Sequence, residues 1–507
     1  MAATTRTASM ATAALHAGAR VRFAPSPTGA LHLGGLRTAL YNHLLARRTG
    51  GSFLLRIEDT DQSRLVPGAA DDLMRSLKWA GLHYDEGPDK PNSKYGPYVQ
   101  SLRLDRYRAI ANDLLRSGHA YKCYCTPDRL AAAKAEAAKA GTPPGYDGHC
   151  RHLSAAEHQR REGEPYVVRY RIPEAVKATS FHDVVFKTIT VDHTTLDDFV
   201  LLKSDGWPTY HLASVVDDHL MEISHVLRGH EWLPSTPKHE LLYRALGWDA
   251  PMWVHLPLLL NMDRKKLSKR DGNDGLGTFV SRFKDAGYHP ESLLNFVALM
   301  GWTPRGATEV VAMDDMIAQF SLENLHLAPA VVDFDRLDWL QKVHFAKLVA
   351  EDPARLVAEL KDALKAHGIE NMGDDGYLQR VVTLISTRLH RIPEIPAKSP
   401  YFWTDPNYDS PDAVAMRGSM KSAQLGMIAR HVLDHMVETN PTTAADFNAL
   451  IAAVAPRAGV SKNVTMVALR YMVTATRVGA GIADTMAVLG REVVERRVAV
   501  HVGEGNE

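Results

Sequence analysis

A histidine inside a glycine turn is the first feature of this 507-residue sequence whose residue types could do chemistry. His32 stands in the run His-Leu-Gly-Gly, between a β-prone segment that begins at Val21 and a helical pattern that leaves from Gly35. Gly34 and Gly35 permit close approach of the backbone to a phosphate, and the helix that follows offers its positive end. A ring N–H of His32 could donate to a phosphoryl oxygen as charge builds on it. Turn glycines beside a solvated histidine are the competing interpretation of this motif taken alone.

A basic run far along the chain is the second such feature, and it reads Lys-Lys-Leu-Ser-Lys-Arg-Asp-Gly from Lys265 to Gly272. A loop of this kind could bring Lys266 and Lys269 to a triphosphate and neutralise the charge of its transition state. In isolation, a basic run is more typical of a solvated loop or of a nucleic-acid patch.

All three cysteines lie in one segment of the chain and form the third feature. They occur as Cys123-x-Cys125 and Cys150-x-His152, and three thiolates with one imidazole suit a tetrahedral Zn²⁺ ion. No ligand position would be left open, so such a zinc would be structural, and Tyr146 is a substitute ligand. Cys-x-Cys is shorter than the usual spacing, and three buried free cysteines are the alternative. So few cysteines also indicate a reducing compartment rather than a disulfide scaffold.

The elements that must position these residues alternate between strand and helix at the start of the chain. Ser52–Ile57 is predicted as a buried strand that leads into the acidic segment Glu58–Asp61, where open α/β sheets place their ligands. The pattern changes to an α+β insertion near Tyr121 and returns to strand and helix near Ser204. Beyond about Asp285 the pattern is almost entirely helical. The sequence therefore predicts an α/β fold with an α+β insertion and an all-helical C-terminal region.

Two helix boundaries are also marked in the sequence. Gly50-Gly51 is predicted to end the helix that leaves from Gly35. Pro441-Thr442-Thr443 precedes an apolar-periodic segment and is predicted to begin another helix.

Composition limits the classes of function. Lys+Arg and Asp+Glu are both 59, and this balance argues against a chain coated for non-specific nucleic-acid binding but leaves room for a local basic groove. No apolar run is long enough to span a membrane. Residues 1–20 hold no acidic residue and are rich in Ala and Thr, which predicts either a disordered tail or an organellar transit peptide. The predicted compartment is accordingly the mitochondrial matrix, with the cytoplasm of a bacterium as the alternative.

The motifs together identify a family. Ala-Pro-Ser-Pro-Thr-Gly precedes His32 and Arg-Ile-Glu-Asp-Thr-Asp follows it, and with the lysine run they resemble the class I aminoacyl-tRNA synthetases. Within that class, Leu201–Gly229 resembles the glutamyl-tRNA synthetases of bacteria and organelles. The resemblance covers about residues 21–345 strongly and the remainder more loosely.

The resemblance implies a reaction and its partners. ATP with Mg²⁺ would activate L-glutamate to glutamyl-adenylate, and the acyl group would pass to the 3′ end of tRNA-Glu. Whether tRNA-Gln is also charged is left open, and members of the family generally need tRNA to activate glutamate. Attack by a carboxylate needs no general base, so catalysis is expected to consist of positioning and charge neutralisation. A monomer with no membrane partner is expected.

The resemblance also implies roles for the motif residues. The catalytic residues would be His32, Lys266 and Lys269. The ATP-binding residues would be His32, Gly34, Gly35, Lys266, Ser268 and Lys269. The glutamate-binding residues would be Arg22, Ala24, Ser26, Glu58, Tyr210, Ser214 and Arg228. Among these, the two arginines suit a carboxylate and Glu58 suits an ammonium group, and Ala24 and Ser26 are placed on the opening strand.

The sequence departs from the family pattern at several positions. Ser214 stands where the family often carries Asn, and His230 stands where many members have Glu. Gly35 replaces a histidine of the wider class. In the lysine run, Leu267 replaces Met with similar apolar volume, and Arg270 replaces Ser and adds charge near the phosphates.

The implied division of the chain has five parts. They are a tail at 1–20, a Rossmann-type catalytic domain at 21–100 and 205–243, an inserted acceptor-binding (connective-peptide) domain with the candidate zinc site at 101–204, a linker domain with the lysine loop at 244–345, and an all-helical anticodon-binding region at 346–507.

Two other functions compete with this one. A related enzyme that glutamylates a modified tRNA base lacks a long helical C-terminal region, which this chain has. A synthetase-derived RNA-binding protein without catalysis should have lost His32, Lys269 or Arg22, and all three are present.

Overall fold

The computed structural model describes residues 18–141, 145–268, 276–306 and 308–504. The described residues of Met1–Phe283 and Pro290–Leu337 form one compact unit, and those of Lys284–His289 and Asp338–Glu507 form a second. Most of the predicted tail, together with Lys269 and Arg270 of the lysine run, lies outside the described residues.

The strands of the described residues are short and belong mainly to the first unit. In chain order they are β1 (Arg20–Phe23), β2 (Ser52–Leu55), β3 (Ala120–Cys123), β4 (Val167–Tyr170), β5 (Ala178–Asp183), β6 (Lys187–Asp192), β7 (Val200–Leu202), β8 (His225–Gly229), β9 (Met252–Leu256), β10 (Leu259–Leu260) and β11 (Ala330–Val331).

The α-helices of the first unit and of the segments that leave it are α1 (Leu33–Thr49), α2 (Ala69–Trp79), α3 (Leu104–Arg116), α4 (Pro127–Lys139), α5 (Ala155–Arg160), α6 (Tyr210–Leu220), α7 (Thr236–Leu246), α8 (Val280–Asp285), α9 (Pro290–Ala298), α10 (Met313–Gln319) and α11 (Phe334–Glu351). Those of the second unit are α12 (Pro353–Ala366), α13 (Asp375–Ile385), α14 (Ile395–Lys398), α15 (Pro411–Gly418), α16 (Ser422–Thr439), α17 (Ala444–Arg457), α18 (Lys462–Thr474), α19 (Ile482–Leu489) and α20 (Arg491–Ala499).

A parallel arrangement of five strands organises the first unit. β1 pairs with β2, β8 pairs with β9, and β9 meets the end of β5, all in parallel. β1 and β8 lie side by side, because the N–H of Ser224 donates to the carbonyl of Arg20 at 2.9 Å. The strands are apolar and buried on their inner residues, as expected when helices cover a parallel sheet. The carboxyl ends of parallel strands meet at one edge, where such sheets bind ligands.

The helix α1 begins at Leu33, two residues before the predicted start at Gly35, and ends where its sequence indicates. His32 caps its N-terminus, and Gly50 ends it with φ 65°, a left-handed conformation that glycine adopts without steric cost. Leu36, Leu40 and Leu44 are fully buried on the face that packs on the sheet. The predicted stop at Gly50-Gly51 is therefore confirmed.

The insertion folds around its own small antiparallel sheet. β4 lies between β3 and β7 and pairs antiparallel with both. Tyr121, Cys123 and Cys150 form a separate buried cluster beside this sheet. An antiparallel hairpin of β5 and β6 extends the parallel sheet at its β9 edge.

The second unit is helical throughout its described residues and packs around one continuous apolar core. Thr443 caps α17 in a reciprocal capping box with Asp446, so the predicted helix start is confirmed. Across the described part of the chain, no helix is both long and apolar enough to cross a membrane. The predicted α/β fold with a helical C-terminal region is confirmed.

Candidate active site

The histidine of the glycine turn is held in one tautomer by its capping bond. The N–H of Gly35 donates to Nδ1 of His32 at 3.1 Å, so in the neutral ring the proton resides on Nε2. His32 is exposed, and Nε2–H is thus a donor at the N-terminus of α1. A Cβ added at Gly34 would lie 3.2 Å from the imidazole ring, so glycine gives the ring room over the turn. The turn presents one ring donor and one helix N-terminus together.

The lysine run is tied to this turn by the segment that follows it. The N–H of Leu33 donates to the carbonyl of Thr278, which follows the run, at 2.9 Å. Within the run, the N–H of Leu267 donates to the carbonyl of Leu259 in β10 at 2.9 Å. Lys266 and Ser268 are both exposed at this end of the run. The structure thus brings the segment after the run to the histidine turn, while Lys269 lies outside the described residues.

A buried ionic network lies at the carboxyl ends of β1 and β2. Arg22 donates hydrogen bonds to both carboxylate oxygens of Asp218, from Nε to Oδ1 (3.0 Å) and from Nη2 to Oδ2 (3.2 Å). Arg56 donates to Oδ1 of Asp218 (2.8 Å) and, from Nε and Nη2, to Oε1 of Glu58 (3.3 and 2.8 Å). Both hydrogen bonds to Glu58 end on Oε1, and Oε2 accepts none among the described residues. The network thus fixes Glu58 by one oxygen.

The protonation of the two carboxylates differs in this network. Burial raises the pKa of Glu58 above its usual value, although the ion pair with Arg56 opposes the shift. Burial also acts to raise the pKa of Asp218, but the guanidinium groups of Arg22 and Arg56 outweigh it and hold that pKa below its usual value. Asp218 is therefore the firmly ionised member of the network.

A second buried pair supports the first from the neighbouring position on α6. Arg103 donates from Nε to Oδ1 of Asp217 at 2.6 Å, and both side chains are fully buried. Gln100 and Tyr107 donate to Oδ2 of Asp217 at 2.9 and 2.7 Å. Asp217 also lies 3.8 Å from Nε of Arg56, which joins the two pairs into one network.

The second predicted carboxylate-binding arginine has different surroundings. Arg228 lies near the carboxyl end of β8 and is buried. Its Nη1 donates to Oη of Tyr210 (3.0 Å) and lies 3.3 Å from Nδ1 of His239. Its Nε donates to Nε2 of His255 (3.0 Å) and its Nη2 to Oγ1 of Thr236 (2.8 Å). These are all uncharged side chains, in contrast to the carboxylate that faces Arg22.

One face of α6 runs along both arginines. Tyr210, Ser214 and Asp218 are spaced four residues apart and so share that face, with Tyr210 on Arg228 and Asp218 on Arg22. Ser214 is buried between them, and its hydroxyl makes no hydrogen bond to another described residue. Trp232 packs on the Tyr210 ring with centroids 4.2 Å apart. The structure thus brings Arg22, Tyr210, Ser214 and Arg228 together.

Ala24 and Ser26 do not lie on the opening strand, where the sequence predicted them. The strand β1 ends at Phe23. Both residues lie in the turn after it, where the carbonyl of Ser26 accepts from the N–H of Thr28 at 2.8 Å. The Pro-rich sequence of this turn ends the strand early, since proline cannot donate to a strand ladder.

The cysteines converge as a metal site requires, but with a different fourth group. The ligand atoms of Cys123, Cys125 and Cys150 all lie within 4.8 Å of one another, and the sulfurs of Cys125 and Cys150 are 3.6 Å apart. Oη of Tyr146 lies 3.4 Å from the Cys123 sulfur and 4.0 Å from that of Cys125. Sulfurs about 3.8 Å apart are what a tetrahedral Zn–S length of about 2.3 Å gives. The donor set therefore fits zinc.

The predicted fourth ligand, His152, does not join this group. His152 is exposed and is absent from the metal-ligand cluster found among the described residues. The neighbouring Arg151 is held at Asp198 by Nη1, at 2.7 and 2.6 Å from the two oxygens, which orients the backbone at this point. Tyr146, named above as the substitute ligand, lies where His152 was expected.

Sequence patterns missed several residues of the site. Arg56 lies in the segment predicted as a buried strand, and no role is predicted for Arg56, Asp218, His239 or His255. A charged or imidazole side chain inside an otherwise buried element was the available signal, since such groups are buried only when they are paired.

The chain is similar to known proteins over most of its length. A family model described as tRNA synthetases class I (E and Q), catalytic domain, matches residues 19–339, and one described as anticodon binding domain matches residues 354–502. A curated glutamate–tRNA ligase of Chloroherpeton thalassium is 41% identical over 495 residues, covering 94% of this chain and 96% of the relative. One of Dehalococcoides mccartyi is 39% identical over 490 residues, covering 96% of this chain and 98% of the relative.

Solved structures give the same result. A glutamate tRNA ligase from Elizabethkingia meningosepticum, crystallised in complex with its amino acid, superposes with a TM-score of 0.85 at 33% identity. A glutamate–tRNA synthetase from Elizabethkingia anophelis superposes with a TM-score of 0.82 at 32% identity. Each superposition covers 96% of this chain and 99% of the solved chain.

Proposed function

The chain belongs to the class I aminoacyl-tRNA synthetases for glutamate and glutamine, and we propose on that premise that it joins L-glutamate to tRNA-Glu in two steps. ATP activates the α-carboxylate of glutamate to glutamyl-adenylate, and the acyl group then moves to the terminal ribose of the tRNA. The observation that carries the choice of glutamate is Arg228, a buried cation whose described hydrogen-bond partners are uncharged. A negatively charged side chain of the substrate would supply the missing counter-charge.

The nucleotide would lie over the N-terminus of α1. Nε2–H of His32 and the turn at Gly34 and Gly35 are the groups that face a phosphate there, with Lys266, Ser268 and Lys269 closing from the lysine run. These residues would neutralise the charge that develops as pyrophosphate leaves. Mg²⁺ bound with ATP would bridge the phosphate oxygens.

The amino acid would lie between the two arginines. Arg228 and Tyr210 would hold the side-chain carboxylate, with Arg22 and Ser214 beside them on the same face of α6. Oε2 of Glu58 is the oxygen left for the substrate ammonium. The turn at Ala24 and Ser26 would close this pocket toward the nucleotide.

The remaining parts of the chain would bind the tRNA. We assign the acceptor end to the insertion at 101–204 and the stem to the linker at 244–345, with 205–243 returning to the catalytic domain of 21–100. The helical region at 346–507 would bind the anticodon. The relatives named above are bacterial proteins, which favours the cytoplasm of a bacterium over the mitochondrial matrix. A monomeric state stays a prediction, and the charging of tRNA-Gln stays an open alternative.

The competing functions fit less well. A base-modifying enzyme without the helical region would not align with full-length ligases over 96% of this chain. A non-catalytic RNA-binding protein has no use for a buried cation whose described hydrogen-bond partners are neutral.

Charging of separated tRNAs tests the proposal. The chain should attach glutamate to tRNA-Glu and leave glutamine unattached to either tRNA, and acid gels that resolve charged from uncharged tRNA measure both. Charging of tRNA-Gln with glutamate would extend the acceptor range. Absence of glutamate on every tRNA would contradict the function.

We further propose a structural zinc held by Cys123, Cys125, Cys150 and Tyr146. Three thiolates with one phenolate oxygen would complete a tetrahedral set with no open position, so the ion would stabilise the insertion and take no part in the reaction.

Removal of one thiolate tests this site. Cys150→Ser should lower the bound zinc from about one ion per chain to near zero and destabilise the insertion, because three ligands rarely retain a structural zinc. His152→Ala is the matched control and should keep its zinc, since His152 lies outside the cluster. Elemental analysis of the purified proteins measures both. A zinc-free wild type, or zinc loss in His152→Ala alone, would refute the assignment.

A further inference from the structure

The hydrogen-bond partners of Arg228 leave its positive charge unneutralised. Four side chains lie within hydrogen-bond distance of the guanidinium, and they are one phenol, one hydroxyl and two imidazoles, those of Tyr210, Thr236, His239 and His255. The ring of Trp253, also uncharged, lies 5.1 Å from the guanidinium carbon. A buried guanidinium normally has a carboxylate partner, because an unpaired buried charge is costly.

The other arginines of the site follow the normal pattern. Arg22 and Arg56 both reach Asp218, and Arg103 reaches Asp217. Arg228 is therefore held in place by hydrogen bonds to uncharged groups. Its positive charge can still pair with an anion. We call the four uncharged partners of Arg228, which are Tyr210, Thr236, His239 and His255, the neutral cage.

Asp183 sets the orientation of His255, one member of the neutral cage. Nδ1 of His255 lies 2.7 Å from Oδ2 of Asp183, and both side chains are fully buried. A carboxylate accepts only, so Nδ1 carries the proton and Nε2 has the lone pair that accepts from Nε of Arg228. Asp183 is itself fixed, because its Oδ1 accepts from the backbone N–H groups of Val185 and Phe186 at 2.9 and 2.8 Å.

Burial keeps the imidazoles of the cage neutral. It lowers the pKa of His255 to about 4, with Asp183 opposing the shift and Arg228 adding to it. It also holds the pKa of His239 well below its usual value, again with a contribution from Arg228. A proton on Nε2 of His255 would face the N–H of Arg228, so the hydrogen-bond geometry and the burial both require the neutral ring.

The fold places Asp183, His255 and Arg228 on neighbouring strands. His255 lies directly opposite Arg228 in the parallel register of β8 and β9, so their side chains leave the same face of the sheet. Asp183 ends β5, the next strand beyond β9. The cage is completed from the first residues of α6 and α7, whose N-termini add positive potential beside the guanidinium.

We propose that Asp183 and His255 are positioning residues that aim Arg228 at the side-chain carboxylate of the substrate. Asp183 fixes the tautomer of His255, and His255 fixes the plane of the guanidinium through its Nε. The neutral cage makes the carboxylate of the substrate the counter-charge of Arg228. This inference rests on the proposed function, because it takes glutamate as the amino acid.

The arrangement favours glutamate over glutamine for a physical reason. The carboxylate forms a charge-assisted pair with Arg228, whereas the neutral amide of glutamine leaves the buried guanidinium uncompensated. A site whose buried polar group is left unpaired by the wrong substrate discriminates strongly. Loss of the hydrogen bonds that join Asp183, His255 and Arg228 should therefore weaken glutamate binding and leave ATP binding unchanged.

Two substitutions of His255 separate its function from its volume. Asparagine places its amide only as far as Nδ1, so His255→Asn loses the contact with Arg228. Glutamine is one methylene longer and places an amide oxygen near Nε2, so His255→Gln keeps an acceptor for Arg228. Asp183→Asn removes the tautomer lock, because its amide N–H meets Nδ1. His225→Asn is the control, since His225 is also a buried histidine of this sheet but does not touch Arg228.

The Michaelis constants for glutamate and ATP are measured for the full-length variants in the charging of tRNA-Glu. His255→Asn and Asp183→Asn should raise the glutamate constant about tenfold to a hundredfold, the effect of losing a hydrogen bond to a charged group. Their ATP constant should stay within about twofold of the wild type, and the glutamate constant of His255→Gln and His225→Asn within about threefold.

The outcomes distinguish the two levels of the proposal. An active wild type with an unchanged glutamate constant in His255→Asn would overturn the positioning role alone. So would a parallel rise of both constants, or a folded His255→Gln that behaves as His255→Asn. A wild type that charges no tRNA with glutamate would overturn the proposed function and this inference with it.

Discussion

His32→Asn is expected to lower the rate of glutamyl-adenylate formation by about a hundredfold to a thousandfold, the loss that removal of one preorganised donor produces. The structure separates two roles of this side chain. Nδ1 caps α1 by accepting from Gly35, and Nε2–H is the ring donor that we propose for a phosphate. Asparagine is among the best N-cap residues, so it keeps the first role and removes the second.

His32→Ala is the companion variant, because it removes both roles. It should show the same loss of rate and, in addition, a loss of about 1 kcal/mol of stability from the missing cap. Pre-steady-state formation of adenylate measures the rates, and thermal unfolding measures the stability. Near wild-type rates in His32→Asn with a slow His32→Ala would assign His32 a capping role only.

Arg56→Met should have the largest effect on stability among single substitutions in the site. Its guanidinium is fully buried and pairs with Glu58 and Asp218. Breaking such a pair leaves a buried carboxylate without its partner, which costs about 3–5 kcal/mol. Glu58 is the more affected carboxylate, since Asp218 keeps Arg22.

Arg64→Met is the matched control for this substitution. Arg64 also pairs with an aspartate, Asp61, but its side chain is 67% exposed. Exposed pairs of this kind contribute little, so Arg64→Met should leave the unfolding midpoint in urea unchanged. A midpoint for Arg56→Met equal to that of Arg64→Met would mean that the buried network does not stabilise the fold.

Local features of the structure could be predicted because local sequence determines them. Gly50 at the end of α1 and Thr443 at the start of α17 both follow from capping chemistry within a few residues. The buried face of α1 follows from the spacing of its leucines.

The partners of the site arginines could not be predicted, since they come together only when strands and helices pack. Arg22 and Asp218 are 196 residues apart in sequence, and His255 and Asp183 are 72 apart. A sequence pattern identifies an arginine as a candidate but does not say whether its neighbour will be a carboxylate or an imidazole.

The cysteine segment shows the same limit at short range. The spacing of Cys150 and His152 selected the segment whose three cysteines cluster, but His152 lies outside that cluster. Side-chain direction after Cys150 depends on the tertiary contact between Arg151 and Asp198, which no spacing rule contains. Tyr146 is instead held in the cluster by the N–H of Cys150, which donates to its Oη at 2.8 Å.

We propose that the site activates glutamate because Arg228 requires a negatively charged side chain on the amino acid. Exchange of labelled pyrophosphate into ATP, with tRNA-Glu present, measures this directly for glutamate and for glutamine. We expect exchange with glutamate and at least about a thousandfold lower kcat/KM with glutamine, as for other sites that reject a substrate leaving buried polar groups unpaired. Comparable exchange with glutamine, or none with glutamate, would contradict it.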